Sequence, residues 1–303
     1  MAPLIHRRYR RNSYLTLLLV FGLLLIGAGC SGGQEEDPFQ VGVIPAQNKG
    51  NMKKAMDKLE KKLSDELNRP VAIKIYSDYQ GVVEAMKYKK MDMAFFGPLT
   101  FVQAREETGI KAVVTQLIDG KPYYHSYIIV PEDSPLDSID DLAKNSGKVD
   151  FAFGDINSTS GSLIPGIALK KEGVFQDQEH HRFKGVTYTG SHDITALSIQ
   201  NKKYDAGAID SAIYEQLVED GKVDDSKVKV IWKSDRLFQY PWAVRRDIDD
   251  QTVKKLRKAF LSIKDPEILS VFGANGFTKA ENADYEAIRQ AAKEAGRLQL
   301  DSN

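Results

Sequence analysis

The stretch Val149-Asp150-Phe151-Ala152-Phe153-Gly154-Asp155-Ile156-Asn157-Ser158-Thr159-Ser160-Gly161 runs from an apolar strand, through a polar turn, into the start of a helix. Val149–Phe153 has strand length and a helix is predicted from Ser160 to Lys171. Strand followed by helix is the repeating unit of an α/β fold, and the alternation extends in both directions. Upstream, Phe39–Ile44, Val71–Tyr76, Met91–Phe96, Ala112–Leu117 and the long Tyr123–Val130 read as strands. Between them Met52, Met56, Leu59, Leu63 and Leu67 share one helical face, Asp78 can cap a helix carrying Val82, Val83 and Met86, and Pro98 opens another. After Val130, Ser138 can cap Ile139–Lys144. Downstream, strands at Val186–Thr189, Ala206–Ile209 and Val228–Trp232 alternate with helices at His192–Gln200 and Ser211–Val218. Trp242–Val244 is a short strand. The remainder reads as helical, over Asp249–Leu261, Pro266–Phe272 and Ala283–Leu298.

The pattern breaks near Val130–Pro135 and near Ser234–Pro241. Cutting there predicts a first lobe over 39–130, a second over 131–236, and a return to the first lobe with the C-terminal helices over 237–303. Two crossings between lobes make a hinge, and a ligand belongs in the cleft they enclose.

The first thirty residues read as an address. Arg7, Arg8, Arg10 and Arg11 precede the apolar run Tyr14–Ile26, which is shorter than the roughly 18–20 residues that cross a bilayer. Gly27-Ala28-Gly29-Cys30 then resembles a bacterial lipobox, with Gly27 where that pattern prefers Leu. The expectation is a signal peptide over 1–29, lipid on Cys30 and a polar tether over 30–38; the alternative is an uncleaved membrane anchor. Cys30 is the only cysteine of the chain, so the mature fold has no internal disulfide.

The 303 residues carry 42 basic and 42 acidic side chains. Without the four N-terminal arginines the balance is 38 against 42, or −4, and no long basic run exists, which argues against nucleic acid as a partner. There is no Walker loop, no Gly-x-Gly-x-x-Gly and no Gly-x-Ser-x-Gly, and His180-His181 has no second histidine at ligand spacing. Neither a cofactor nor a metal is expected.

Ligands of open α/β sheets gather at the carboxyl ends of the strands. There, Ser158, Thr159 and Ser160 offer hydroxyls beside the unpaired first-turn N–H groups of a helix, suited to a tetrahedral oxyanion. One of the three capping the helix is the competing reading. His192 either donates to a ligand oxygen or is a satisfied loop histidine. Asp210 suits a ligand that retains a proton, or merely caps the helix from Ser211. Tyr79 and Tyr124 either wall the pocket or belong to the core.

With these residues the chain resembles the phosphate/phosphite/phosphonate substrate-binding proteins of ABC importers. The resemblance rests on Asp78-Tyr79-Gln80-Gly81-Val82-Val83-Glu84-Ala85-Met86, Asp92-Met93-Ala94-Phe95-Phe96-Gly97, Asp133-Ser134-Pro135, Asn157-Ser158-Thr159-Ser160-Gly161, Gly190-Ser191-His192 and Ile231-Trp232-Lys233-Ser234. It implies a type II periplasmic-binding-protein fold, with Ser158, Thr159, Ser160 and His192 holding the anion and Tyr79 and Tyr124 lining the cleft. It also implies an ABC permease and its ATPase as partners and no catalysis; with the lipobox-like Cys30, the expectation is a lipid-anchored monomer at the outer face of the cytoplasmic membrane or in the periplasm. Binders of aminoalkylphosphonates carry acids where this chain has Ala212 and Tyr240, which implies a smaller ligand without an amine. Asp210 fits members that bind phosphite or methylphosphonate. An enzyme on the same bilobal fold, a sensor domain, and a binding protein for another solute are the rivals; the first would need a metal cluster or an activated nucleophile.

Overall fold

The computed structural model describes residues 37–47 and 52–298. Cys30, the signal segment and all of the tether before Asp37 lie outside the described residues. In chain order the strands are β1 (Phe39–Val43), β2 (Val71–Ile75), β3 (Met93–Phe95), β4 (Lys111–Leu117), β5 (Tyr123–Tyr124), β6 (Ser126–Pro131), β7 (Asp150–Phe153), β8 (Gly185–Tyr188), β9 (Ala206–Asp210), β10 (Val228–Lys233), β11 (Leu237–Phe238), β12 (Pro241–Val244) and β13 (Gly276–Lys279). The helices are α1 (Met52–Leu67), α2 (Tyr79–Lys87), α3 (Pro98–Thr108), α4 (Ile139–Lys144), α5 (Ile164–Lys171), α6 (His192–Gln200), α7 (Ser211–Glu219), α8 (Asp250–Leu261), α9 (Pro266–Val271) and α10 (Glu286–Glu294).

Two sheets carry the molecule. The first has the order β13-β4-β12-β3-β1-β2 and the second β10-β6-β9-β7-β8. β1 runs parallel to β2 and β3, whereas β12 enters antiparallel between β3 and β4. In the second sheet β7 is parallel to β8 and β9, and β6 is antiparallel to β9 and β10. The predicted face of α1 is the one that packs: Met56, Leu59, Leu63 and Leu67 are buried while its lysines reach solvent. Among the described residues no helix is long and apolar enough to cross a membrane.

Three sequence expectations are corrected. Tyr123–Val130 is not one strand of the first lobe. It breaks at His125, whose N–H donates to Ser211 Oγ (3.0 Å) and whose Nδ1 meets the Ser234 carbonyl (2.8 Å) in place of a ladder. β5 then pairs with β11, and β6 belongs to the second sheet, so the chain crosses at Tyr124–His125 rather than at Val130. The C-terminal part is not wholly helical, because β13 adds an edge strand to β4; four residues are too few for an alternation to stand out. Finally, the helix expected from Ser160 opens as a wider turn over Thr159–Leu163 and becomes α-helical at Ile164.

The lobes are in contact across the cleft. The Leu99 N–H at the start of α3 donates to Thr159 Oγ1 (2.8 Å), and the His192 N–H donates to the Ala46 carbonyl (3.2 Å). Arg297, after α10, donates to the Ile156 carbonyl in the polar turn of the second lobe (2.6 Å).

Candidate functional site in the cleft

The wide turn follows from its sequence. Pro165 has no N–H to give to the carbonyl of Gly161, four residues back. That carbonyl accepts instead from Gly154 N–H (2.8 Å), and Leu163 N–H reaches Ser158 O (3.0 Å), a five-residue step. Ser126 Oγ donates to Ser160 O (2.6 Å). The turn is thereby pinned to β6 and to the end of β7. Gly161 is needed for the close approach: a Cβ there would lie 3.0 Å from Ser158 Oγ, 3.1 Å from Gly154 Cα and 3.1 Å from His192 Cε1.

The three hydroxyls of the turn differ in their duties. Ser158 Oγ accepts the Gly161 N–H (3.0 Å) and is the cap, so the capping reading holds for this residue; its own hydrogen stays free to donate. Thr159 Oγ1 accepts from Leu99 across the cleft and likewise keeps its hydrogen. Ser160 Oγ is buried with no hydrogen-bond partner among the described residues.

Tyr79 opens α2, and Tyr124 lies in the first crossing strand. Both are buried, and both phenol oxygens lack partners among the described residues. Tyr79 lies beside Ser158 and Tyr240, and Tyr124 beside Ser160 and Thr159. Burial, reinforced by the charges of Asp155 and Asp210 at Tyr79 and of Asp210 at Tyr124, pushes both phenols above their usual range, so they remain protonated donors.

His192 starts α6 and is buried. Its Nδ1 accepts the Asp210 backbone N–H (3.2 Å), leaving the hydrogen of a neutral ring on Nε2. Nε2 lies 3.4 Å from Ser158 Oγ and 3.3 Å from the Tyr240 hydroxyl. Burial lowers the ring to about 4, so it is uncharged near neutrality. Asp210 ends β9 and caps α7 through one oxygen, Oδ1, which takes the Ala212 and Ile213 N–H groups (2.8 and 3.1 Å). The cap reading is therefore true of one oxygen and leaves the other available. Burial raises this carboxyl to about 7.

All seven residues singled out in the sequence thus fall into one buried cluster. Tyr240, which the sequence marks only as standing where an acid is found in aminoalkylphosphonate binders, joins them as a further donor. It follows the second crossing strand, its ring packs against Tyr124 (5.5 Å between centroids), and its hydroxyl faces His192 and Asp210. A hydroxyl-bearing aromatic just before Pro241, at the second break in the pattern, was the available signal. What the cluster can do is hold an anion through neutral dipoles, with Asp210 to accept a proton from it.

The profile of a family described as the periplasmic substrate-binding protein of phosphonate ABC transporters matches residues 41–285. The chain belongs to that family. It is 28% identical over 270 residues to a probable ABC transporter phosphite-binding protein of Prochlorococcus marinus, covering 86% of this chain and 90% of that protein. It is 29% identical over 305 residues to a phosphate-import protein of Mycolicibacterium smegmatis, covering 90% and 93%. The solved structure of a Prochlorococcus marinus protein in complex with methylphosphonate superposes with a TM-score of 0.76, at 28% identity, over 86% of this chain and 98% of that one. The fold of this family member is that of a type II periplasmic binding protein, and the family's work is solute binding for import.

Proposed function

We propose that this family member captures a small phosphorus oxyanion carrying one protonated oxygen, such as phosphite or methylphosphonate, and delivers it to an ABC permease and its ATPase. The observation that carries the reading is the set of buried, unpartnered hydroxyls of Tyr79, Tyr124 and Ser160 around a neutral His192, with a raised Asp210 beside them and no Lys or Arg in the group. Ser158, Thr159 and Tyr240 complete the donors. Dipoles solvate the anion and Asp210 accepts the P–OH hydrogen. The protein breaks no bond in its ligand: its output is the closed arrangement of the lobes, which the permease reads. Lipid on Cys30 would hold it at the membrane as a monomer.

Calorimetric titration with phosphite, methylphosphonate, hypophosphite, phosphate and sulfate tests the ligand class. Micromolar or tighter binding of a protonated phosphorus oxyanion is expected, with no appreciable binding of sulfate, which is fully ionised near neutrality. Tight sulfate binding overturns the role given to Asp210. For the anchor, Cys30→Ala should abolish labelling with a fatty-acid probe.

A further inference from the structure

A second chamber adjoins the hydroxyl cluster. It has a volume of about 30 Å³ and is bounded on one side by Asp210, Ala212 and Tyr240. Ile44, Phe95 and Phe272 give it apolar walls, and Gln47 and Gln116 also line it.

Both glutamines are more than nine-tenths buried, and the side-chain oxygen of each has no hydrogen-bond partner among the described residues. Their orientation is fixed by their neighbours. Gln216 Nε2 donates to the Ser270 carbonyl (2.6 Å), which can only accept; Gln216 Oε1 therefore accepts from Gln47 Nε2 (3.3 Å), and Gln47 Oε1 is left over. Gln116 Nε2 is held between Gln239 Oε1 (3.3 Å) and the Phe272 carbonyl (3.4 Å), which again leaves its Oε1 unused. Buried acceptors without donors are uncommon and costly.

We propose that this chamber receives the substituent on phosphorus and selects a short hydroxyalkyl group. The inference rests on reading the neighbouring cluster as the phosphonate site. The volume exceeds what a single water needs and suits a CH₂OH-sized group. A hydroxyl hydrogen can donate to either of the two neutral acceptors. An ammonium group would lose its hydration for dipoles alone, because the one carboxylate, Asp210, is taken up by the α7 amides and the ligand's own P–OH. A plain alkyl group would fill the chamber but leave both amide oxygens unanswered.

The test is calorimetry on the purified protein with hydroxymethylphosphonate and ethylphosphonate, which differ by OH against CH₃, alongside methylphosphonate and 2-aminoethylphosphonate. Hydroxymethylphosphonate should bind about threefold to tenfold tighter than ethylphosphonate, the effect of one neutral hydrogen bond. Gln47→Met and Gln116→Met should each shrink that ratio; Gln47→Met alone suffices if the Gln116 variant fails to fold. Equal or tighter binding of ethylphosphonate, with methylphosphonate still bound, overturns the subsite and leaves the anion site standing. A preference for 2-aminoethylphosphonate also overturns it. If no phosphonate binds, methylphosphonate included, the reading of the hydroxyl cluster fails and the subsite with it.

Discussion

The backbone N–H of Asp210 donates to Nδ1 of His192 over 3.2 Å. One bond from the main chain thereby sets the tautomer of the imidazole and aims its Nε2 hydrogen at the hydroxyls of Ser158 and Tyr240. The same residue supplies a carboxylate that caps α7. Orientation of the donor, position of the acceptor and start of a helix are one construction.

The serines of the wide turn separate binding from stability. Ser160→Ala removes a hydroxyl that holds nothing in the protein, so binding of methylphosphonate should weaken by roughly 10- to 150-fold, the value of about 1.5–3 kcal/mol for a hydrogen bond to a charged group, with little change in unfolding. Ser158→Ala should weaken binding and also lower stability by about 1 kcal/mol, because its oxygen is the cap. Titration and urea unfolding of both variants check this; a Ser160→Ala protein with unaltered affinity removes Ser160 from the site.

On the proposed reading, Asp210 should make binding pH-dependent. With its carboxyl raised to about 7, a proton sits between it and the ligand at lower pH. As pH rises beyond that value, both partners lose the proton and two negative charges meet, so affinity for methylphosphonate should fall. Asp210→Asn should flatten this dependence, weaken phosphonate binding and relax the rejection of sulfate, since an amide donates as well as accepts. Competition titrations between about pH 5 and 9 decide it; a flat profile in the parent protein contradicts the shared proton.

Stability without ligand gives an independent check. The folded carboxyl of Asp210 titrates at about 7 against 3.8 in the unfolded chain, so its contribution is present in full below 3.8 and lost as pH rises to 7. His192 titrates at about 4 against 6.5, so its contribution is present above 6.5 and lost as pH falls to 4. Between about 4 and 6.5 the folded protein holds a proton on Asp210 and the unfolded chain holds one on His192, and the two slopes cancel. Asp210→Asn leaves the histidine slope alone. The variant should lose ground to the parent by about 1.4 kcal/mol per pH unit on acidification across this window. Parallel denaturation curves would refute the cancellation.

Closure should be visible in solution. The Leu99–Thr159 and His192–Ala46 hydrogen bonds exist only while the lobes meet. Saturating methylphosphonate should reduce the radius of gyration measured by small-angle scattering. An unchanged radius would mean that the lobes do not part.

The α/β architecture and the residues of the buried cluster were legible because both are local signals. The alternation of strands and helices sits within windows of a few residues, and Ser158, Thr159 and Ser160 stand together at one strand end. Sheet membership was not legible in the same way. Ser126–Pro131 is apolar enough to serve either lobe, and only its partners β9 and β10 assign it to the second. The break at His125 depends on Ser211 and Ser234, roughly 86 and 109 residues away in sequence. Tyr240 and Gln116 share this limitation: each looks like an ordinary core or strand residue until a distant crossing strand brings it to the cleft. The turn geometry at Thr159–Leu163 could have been anticipated from Pro165, which disallows the regular hydrogen bond at that step.

The place of β12 in the first sheet bears on the order in which the protein can fold. β12 lies between β3 and β4, yet it follows them in the chain only after the whole of the second sheet. The second lobe is one continuous stretch and can assemble as soon as it emerges. The first lobe must wait, with the edges of β3 and β4 unpaired, until Pro241–Val244 arrive to join them. A chain ending between Leu117 and Pro241 would therefore lack both β12 and β13, leaving β3 with an open edge and β4 with no partner strand, a target for proteases and a seed for aggregation.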